Sequence, residues 1–502
     1  MLRRRRTGAA GNTAILTIGT VVQTVIALVT VPLYLSQLGQ ERFGVWVIAG
    51  LVIAYFGLLD RALGTAVQRE VAGAGDDDRD RAAIVWTAVV SNFAVGVAVA
   101  MGVVLVGEVI FMRFVDVSAS LRTEAIETLP ILAASVPLVS VMAICQGTLM
   151  ARGRVASVSA LETVRLLGLQ LIPLGFVYVY GPDLRWLALG ALVALAIATS
   201  LYLVAMLVLA IGPVRWSRPS LAIARRLYHY GKWVSVTSIL TPVLDFSDRL
   251  VVGLVRGAST VTAYSIPYNL TARMTIIPLN VVRVSFPRFS GVSAQESRKM
   301  AVTAVAAVAA VTTPAAVFGS IISGPFFAWW LGGDIARESA PVAAILFAGF
   351  WVNGMGYVPS VLLQAQGRPD VPARFHTIEA VPFLLVLALG VYLGGAIGGA
   401  IAWSCRALVD ALLLMIASSL GWRRVEMVVS AVLVTLAACL GALFPWNAAM
   451  LAVAGTPLVC ISLAVSWRLL PNEYKEKLLR VVRRKRTGSN RPAGPALGEG
   501  SD

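Results

Sequence analysis

From Met427 through Ser466 the chain carries no acidic or basic residue, and apolar stretches of comparable character recur along its whole length. A soluble domain has no way to cover so many long apolar runs. A helix of about 20 apolar residues, by contrast, crosses roughly 30 Å of hydrocarbon. Lipid offers no hydrogen bonds, so each crossing segment must satisfy its own backbone, and the helix does so. Composition agrees: 58% of residues are hydrophobic, 14% are charged and the mean hydropathy is +0.80. Soluble domains carry about 25% charged residues. The expected fold class is an all-α polytopic membrane protein.

Runs of sufficient length place about fourteen transmembrane helices near 13–38, 43–68, 83–111, 125–150, 155–180, 185–211, 232–255, 259–286, 299–323, 339–364, 373–393, 395–419, 426–444 and 447–467. The basic start "MLRRRR" resembles a signal peptide. However, the apolar run from Ile15 to Leu38 is too long for one and has no A-x-A site, so it reads as a retained first helix.

The formal net charge of +16 would point to nucleic acid in a soluble protein. Here the 42 Lys and Arg residues cluster in alternate loops and in the tail, which is the mark of membrane topology. With both termini cytoplasmic, every inner segment carries at least two of them and no outer loop more than two. Outer loops are short, the longest expected near Arg113–Glu124. After Pro471, "NEYKEKLLRVVRRKR" reads as a basic amphipathic stretch for anionic lipid, and "TGSNRPAGPALGEGSD" as disordered.

The cysteines Cys145, Cys405, Cys439 and Cys460 all lie in apolar runs and read as small core residues, not as a disulfide framework. His229 and His376 stand far apart near span ends, without metal-ligand spacing. No cofactor or metal site is expected.

A repeat is visible. The first span leads into "LSQLGQERFGVWVIAG" and the seventh into "VVGLVRGASTVTAYSIP", each a helix, a Gly-containing outer turn and a second helix. This predicts two pseudo-symmetric six-helix lobes in parallel orientation, over 13–211 and 232–419, joined by a cytoplasmic linker at 212–231. A basic N-terminus at 1–12, two further helices at 426–467 and the tail from 468 to 502 complete the organisation.

The charges inside the spans are the candidate functional residues. An isolated charge at the bilayer centre costs about 2.5–3.5 kcal/mol or more, and such residues mark bundle interiors and wet cavities. They come in neighbouring pairs: Asp60 with Arg61, Glu162 with Arg165, Asp245 and Asp248 with Arg249, and Arg406 with Asp410. Residues three or four apart share a helix face. Arg273 has no acid within four positions and lies between Pro267 and Pro278, while Arg283 lies near a span end and snorkels. If Arg61, Arg165, Arg273 and Arg406 converge, they form a cationic cavity for an anionic head group, because guanidinium donates bidentate hydrogen bonds to phosphate and carboxylate. Asp245, Asp248, Arg249 and Asp60 are the expected ion-coupling or gating residues.

Several stretches together resemble the polysaccharide transporter family of the multidrug/oligosaccharidyl-lipid/polysaccharide exporter superfamily. "LLDRALGTAVQREVAG" is similar to the D-x-G-L-x-x-A-x-x-R end of that family's second helix, with Arg61 and Ala62 departing from its small or apolar residues. "DRLVVGLVRGASTVTAYSIPYNL", "FPRFS", "LLQAQGRPDVPARFHTIEA" and "LGGAIGGAIAWSCRALVDALLL" resemble its helix 7–8 junction, helix 8 exit and helix 10–12 region, so the likeness covers about 12–420. The resemblance implies flipping of an undecaprenyl-diphosphate-linked oligosaccharide across the bacterial cytoplasmic membrane, coupled to a proton or sodium ion. It also implies cooperation with a polysaccharide polymerase or export machine. No G-x-x-x-x-G-K-[ST] phosphate loop is present, as ion coupling without ATP hydrolysis requires. The alternatives are a lipid II flippase and, from another class, a membrane polysaccharide polymerase or ligase. The latter needs a large outer loop with catalytic Arg or His, and the outer loops here are short and histidine-free.

Overall fold

The computed structural model describes residues 9–74, 77–113, 117–211, 216–420, 425–471 and 475–476, with side chains for all of these but 9–21, 52–63, 229–246, 284 and 287. The basic run Arg3–Arg6 and the tail from 477 lie outside the described residues. So do the side chains of Asp60, Arg61, His229 and Asp245.

The described residues form helices α1 (Ala9–Gly73), α2 (Asp78–Arg113), α3 (Ala119–Ala133), α4 (Ser135–Ala151), α5 (Val155–Tyr180), α6 (Leu184–Met206), α7 (Leu221–Arg256), α8 (Ala258–Thr271), α9 (Ile276–Ser290), α10 (Ala294–Trp330), α11 (Gly333–Ala365), α12 (Asp370–Ala417), α13 (Val425–Leu443) and α14 (Ala448–Leu469). Among these residues, ten stretches are long and apolar enough to cross a membrane. α1 breaks at Gly39 and α12 at Gly395, so each folds back as a hairpin where two spans were expected. The span expected at 125–150 begins earlier, at Ala119, which shortens the loop expected near Arg113–Glu124.

The hairpins at Gly39 and Gly257 carry the repeat. Gly39 has φ 72° and ψ 175°, and Gly257, between α7 and α8, has φ 81° and ψ 176°. That region of backbone space is open essentially to glycine alone. The same tight reversal therefore recurs at matching places in "LSQLGQERFGVW" and "LVRGASTVTAY". α1 packs on α4 and α5 and equally on α7 and α8, α11 packs on α10 and α12, and α13 and α14 pack on α10.

In lipid, helices associate through close contact of small residues rather than through burial from water. Gly147 and Gly64 bring α4 against the second arm of α1. A Cβ at Gly147 would stand 2.2 Å from the Gly64 carbonyl oxygen. Gly441 does the same for α13 against Ser320 of α10, at 2.0 Å. Of the four cysteines, only Cys145 is buried; Cys405, Cys439 and Cys460 are exposed on the outer faces of their helices. This corrects the expectation that all four are core residues. An apolar run in a membrane protein faces lipid as readily as it faces protein.

The hairpin end carries a rim of polar contacts. Arg42 and Glu124 pair at 3.1 Å, Glu124 also accepts from the Leu184 amide at 2.6 Å, and Arg185 joins Glu127 at 3.1 Å. At the opposite, basic end, Arg226 pairs with Glu70 at 2.9 Å.

Candidate functional site

The α8–α9 segment places Arg273. Pro278 lacks the N–H that a continuous helix would offer to the carbonyl of Met274, and the backbone tightens into a 3-10 turn over Ala272–Thr275. Threonine hydroxyls satisfy nearby carbonyls: Thr271 Oγ1 donates to Pro267 O at 2.8 Å, and Thr275 Oγ1 donates to Ala272 O at 2.7 Å. The break turns Arg273 into a cavity of about 550 Å³ shared with Thr30, Tyr34, Trp46, Gln170 and Asn269. Among the described residues Arg273 makes no ion pair or hydrogen bond.

The cavity lies between the two groups of helices, which meet toward the hairpin end. A Cβ on Gly44 would stand 1.8 Å from the carbonyl oxygen of Ala258. Thr262 Oγ1 donates to Gln40 O at 2.7 Å, and Trp330 Nε1 donates to Leu28 O at 2.5 Å. Within the first group, Gln170 is held by Thr30, whose Oγ1 lies 2.8 Å from its Oε1, and by the Tyr34 hydroxyl, which donates to its backbone oxygen at 2.7 Å.

A second cavity, of about 400 Å³, shares Ala272 and Thr275 with the first and is lined by Arg249, Arg406, His376 and Asp410. Its wall is aromatic: Tyr268, Phe350 and Trp403 pack with ring centroids 4.3–5.6 Å apart. The Arg249 guanidinium lies over the Tyr268 ring, 4.1 Å from its centroid, and that of Arg406 lies 5.1 Å from Phe383. Such stacking favours a cation held away from bulk water.

The pairing expected between Arg406 and Asp410 is corrected. Arg406 Nε contacts Glu379 Oε1 at 3.3 Å, while Asp410 Oδ1 lies 3.4 Å from His376 Nε2. The two arms of the α12 hairpin face each other, and cross-hairpin partners win over the i,i+4 neighbour. In α7, Asp248 is fully buried. Its Oδ2 accepts from the Tyr264 hydroxyl at 2.9 Å and its Oδ1 from the Arg249 amide at 2.7 Å.

Arg165 pairs with Glu162 as expected, at 2.5 Å. The pair belongs to a network in which Gln146 Nε2 donates to the Tyr202 oxygen at 2.9 Å and to Glu162 Oε2 at 3.3 Å. Arg165 lines neither cavity; its neighbours one turn on, Leu169 and Gln170, line the first. Of the four arginines expected to converge, Arg273 and Arg406 thus line adjoining cavities, Arg165 stands apart, and the Arg61 side chain lies outside the described residues.

The sequence pattern of the polysaccharide biosynthesis protein family matches residues 9–293, more than half of the chain. The chain belongs to this family. A putative O-antigen transporter of Shigella flexneri is 27% identical over 399 residues, covering 79% of this chain and 94% of that protein. The lipopolysaccharide biosynthesis protein WzxC of Escherichia coli (strain K12) is 23% identical over 39% of this chain and 40% of its own length. The fold is that of the lipid II flippase MurJ in its inward closed conformation, with TM-score 0.69, 13% identity, and 95% of this chain and 100% of that one covered. An inward-facing multidrug resistance MATE family transporter of the MOP superfamily aligns with TM-score 0.64 and 15% identity over 79% of this chain and 94% of that one.

In this family member three site residues were not singled out from sequence: Glu379, His376 and Tyr264. Glu379 carried a signal, being an acid inside an apolar span three residues after a histidine. Its partner Arg406 lies on the other arm of the hairpin, a pairing that local spacing does not express.

Proposed function

We propose that the protein flips undecaprenyl-diphosphate-linked oligosaccharides from the inner to the outer leaflet of the bacterial cytoplasmic membrane for polysaccharide assembly. It does so as an ion-coupled transporter rather than an enzyme. The observation that carries this reading is Arg273, half-buried in a cavity of about 550 Å³ between the two helix groups and without an ion pair among the described residues. A guanidinium left open in a membrane protein has a use for an anion, and its planar fork suits a diphosphate. Family membership and the relative named as an O-antigen transporter support the same substrate class.

With the basic end cytoplasmic, the contacts of Gly44, Thr262 and Trp330 seal the outer face, and the cavities serve the inner leaflet. The helices of 13–211 and 232–419 then rock against each other. Arg273, Arg406 and Arg61 attract the head group, Arg165 stays with Glu162 outside the cavities, and Asp245, Asp248, Arg249 and Asp60 bias the two states. The polyprenyl tail stays in lipid beside α13 and α14. Only differential affinity between the two states drives such a shift.

The test is reconstitution in vesicles with a fluorescent undecaprenyl-diphosphate-linked sugar. Faster leaflet exchange than in empty vesicles, competed by unlabelled compound and not by lipid II, is the expected result. Competition by lipid II alone would assign the protein to peptidoglycan precursors instead, and no exchange would end the flippase reading.

A further inference from the structure

We propose that His376, Glu379 and Asp410 form a proton-binding site that sets the affinity of the adjoining cavity for its anionic head group, an inference that rests on the flippase reading above. The imidazole nitrogen and the two carboxylates bring donor atoms within 4.8 Å of one another. Nε2 of His376 lies 3.4 Å from Asp410 Oδ1, and Glu379 Oε1 lies 3.3 Å from Arg406 Nε.

A second, independent observation concerns the remaining oxygen of Glu379. Glu379 and Asp410 are each 8% exposed, and Glu379 Oε2 is buried without a hydrogen-bond donor among the described residues. A buried carboxylate oxygen lacking a donor is an unfavourable state that an added proton relieves. The site is therefore built for a cation that arrives from elsewhere.

Charge selects the cation. With the imidazole neutral, two carboxylates face one guanidinium, and one positive charge brings the cluster to neutrality. A divalent ion would overshoot. Sodium prefers a shell of oxygens, and an imidazole nitrogen suits it poorly. A proton suits all three side chains, and histidine exchanges it near neutral pH.

The groups facing the cluster are Arg406 from its own helix, Arg249 from α7, Tyr268 from α8 and Tyr357 from α11, all lining the second cavity, with Asp248 on α7 next to Arg249; the Asp245 side chain lies outside the described residues. None but Asp248 is acidic, so the proton on the cluster controls how far Arg406 is neutralised. With Glu379 ionised, its carboxylate competes with the head group for Arg406. With the cluster protonated, the cavity gains one positive charge and Arg406 is released toward the substrate. Linkage makes the effect reciprocal: head-group binding draws a proton into the cluster.

The probe is farnesyl diphosphate, titrated against the detergent-solubilised full chain between pH 5.5 and 8.5. Binding should tighten about tenfold or more toward low pH in the wild type. It should lose most of that dependence in Glu379→Gln and Asp410→Asn, whereas Glu379→Asp keeps it. A wild-type profile no steeper than that of the two neutral variants overturns the proton site. Absence of binding at every pH argues against the anionic-substrate reading instead. A second measurement then still decides the site. In His229→Gln, His376 is the sole histidine, and its ¹⁵N ring signals report protonation directly. Its titration midpoint should shift when Asp410→Asn is added, and an unmoved midpoint overturns the proposal even if those variants fold poorly for binding. Stoichiometric Zn²⁺ binding that Asp410→Asn abolishes would overturn it in favour of a divalent cation.

Discussion

The Tyr264 hydroxyl donates a 2.9 Å hydrogen bond to Oδ2 of Asp248, joining α8 to α7 where both residues are fully buried. With the Arg249 amide on Oδ1, this fixes Asp248 as an acceptor inside the hairpin. Tyr264→Phe removes the donor and leaves the carboxylate buried, which should destabilise the protein by about 1–3 kcal/mol. Thermal unfolding in detergent checks this. An unchanged midpoint would mean that the bond contributes nothing net.

Gly44 controls the seal at the hairpin end. Any Cβ there meets the Ala258 carbonyl at 1.8 Å, so Gly44→Ala must push α1 away from α8. Overpacking of this kind costs about 1–3 kcal/mol, charged to the sealed state alone. Thr262, fully buried against that contact, offers the readout. A cysteine replacing Thr262 should react slowly with an impermeant thiol reagent in the parent and faster when Gly44→Ala is added.

Arg273→Ala should abolish transport while leaving expression and thermal stability near the wild-type level, since no partner among the described residues is orphaned. Arg273→Lys should restore only part of the rate, because an ammonium lacks the bidentate fork. Initial rates of leaflet exchange in vesicles measure both. Wild-type exchange by Arg273→Ala would remove the residue from the site.

Orientation is open to a labelling test on a background without the four native cysteines. Gly394→Cys should label from outside intact cells, and Gly291→Cys should not. A Cβ added at Gly394 meets nothing within 4 Å, whereas Gly332 at φ +65° would strain any replacement and is a poor reporter. Labelling only at Gly291→Cys would invert the proposed topology.

Asp183 caps α6, outside the spanning segments. Its Oδ1 accepts from the Arg185 amide at 2.8 Å. The side-chain hydrogen bond from Arg185 holds its carboxyl below the usual range, with the amide bond adding to the effect. A depressed carboxyl stabilises the fold above its unfolded value, near 3.9, and that stability is lost as pH falls through the lower folded value. Asp183→Asn should therefore lower the unfolding temperature at pH 6, and the gap to wild type should close below about pH 4. A gap independent of pH would assign the cap's effect to geometry alone.

Much of the site was legible in sequence because lipid makes every buried charge conspicuous. Arg273 was marked by its lack of a nearby acid and by its flanking prolines, and Glu162 with Arg165 by their spacing along one helix face. Glu379 and His376 went unmarked because their partners, Arg406 and Asp410, sit across the Gly395 reversal. Tyr264 went unmarked because nothing in a tyrosine's local context tells whether its hydroxyl meets a carboxylate.

The sequence by itself determined the class of molecule: apolar runs long enough to cross a bilayer, basic residues gathered at one end, and a repeated Gly-centred hairpin. These follow from the dielectric of the membrane and from local backbone chemistry, which act on each segment separately. The tertiary structure alone decided which charges share a cavity. It set Arg273 beside Gln170 of α5, stacked Arg249 on Tyr268, and exchanged the i,i+4 partner of Arg406 for Glu379. Those choices depend on how helices approach one another, and the approach is set by small residues such as Gly44 and Gly147 through contacts between segments distant in the chain.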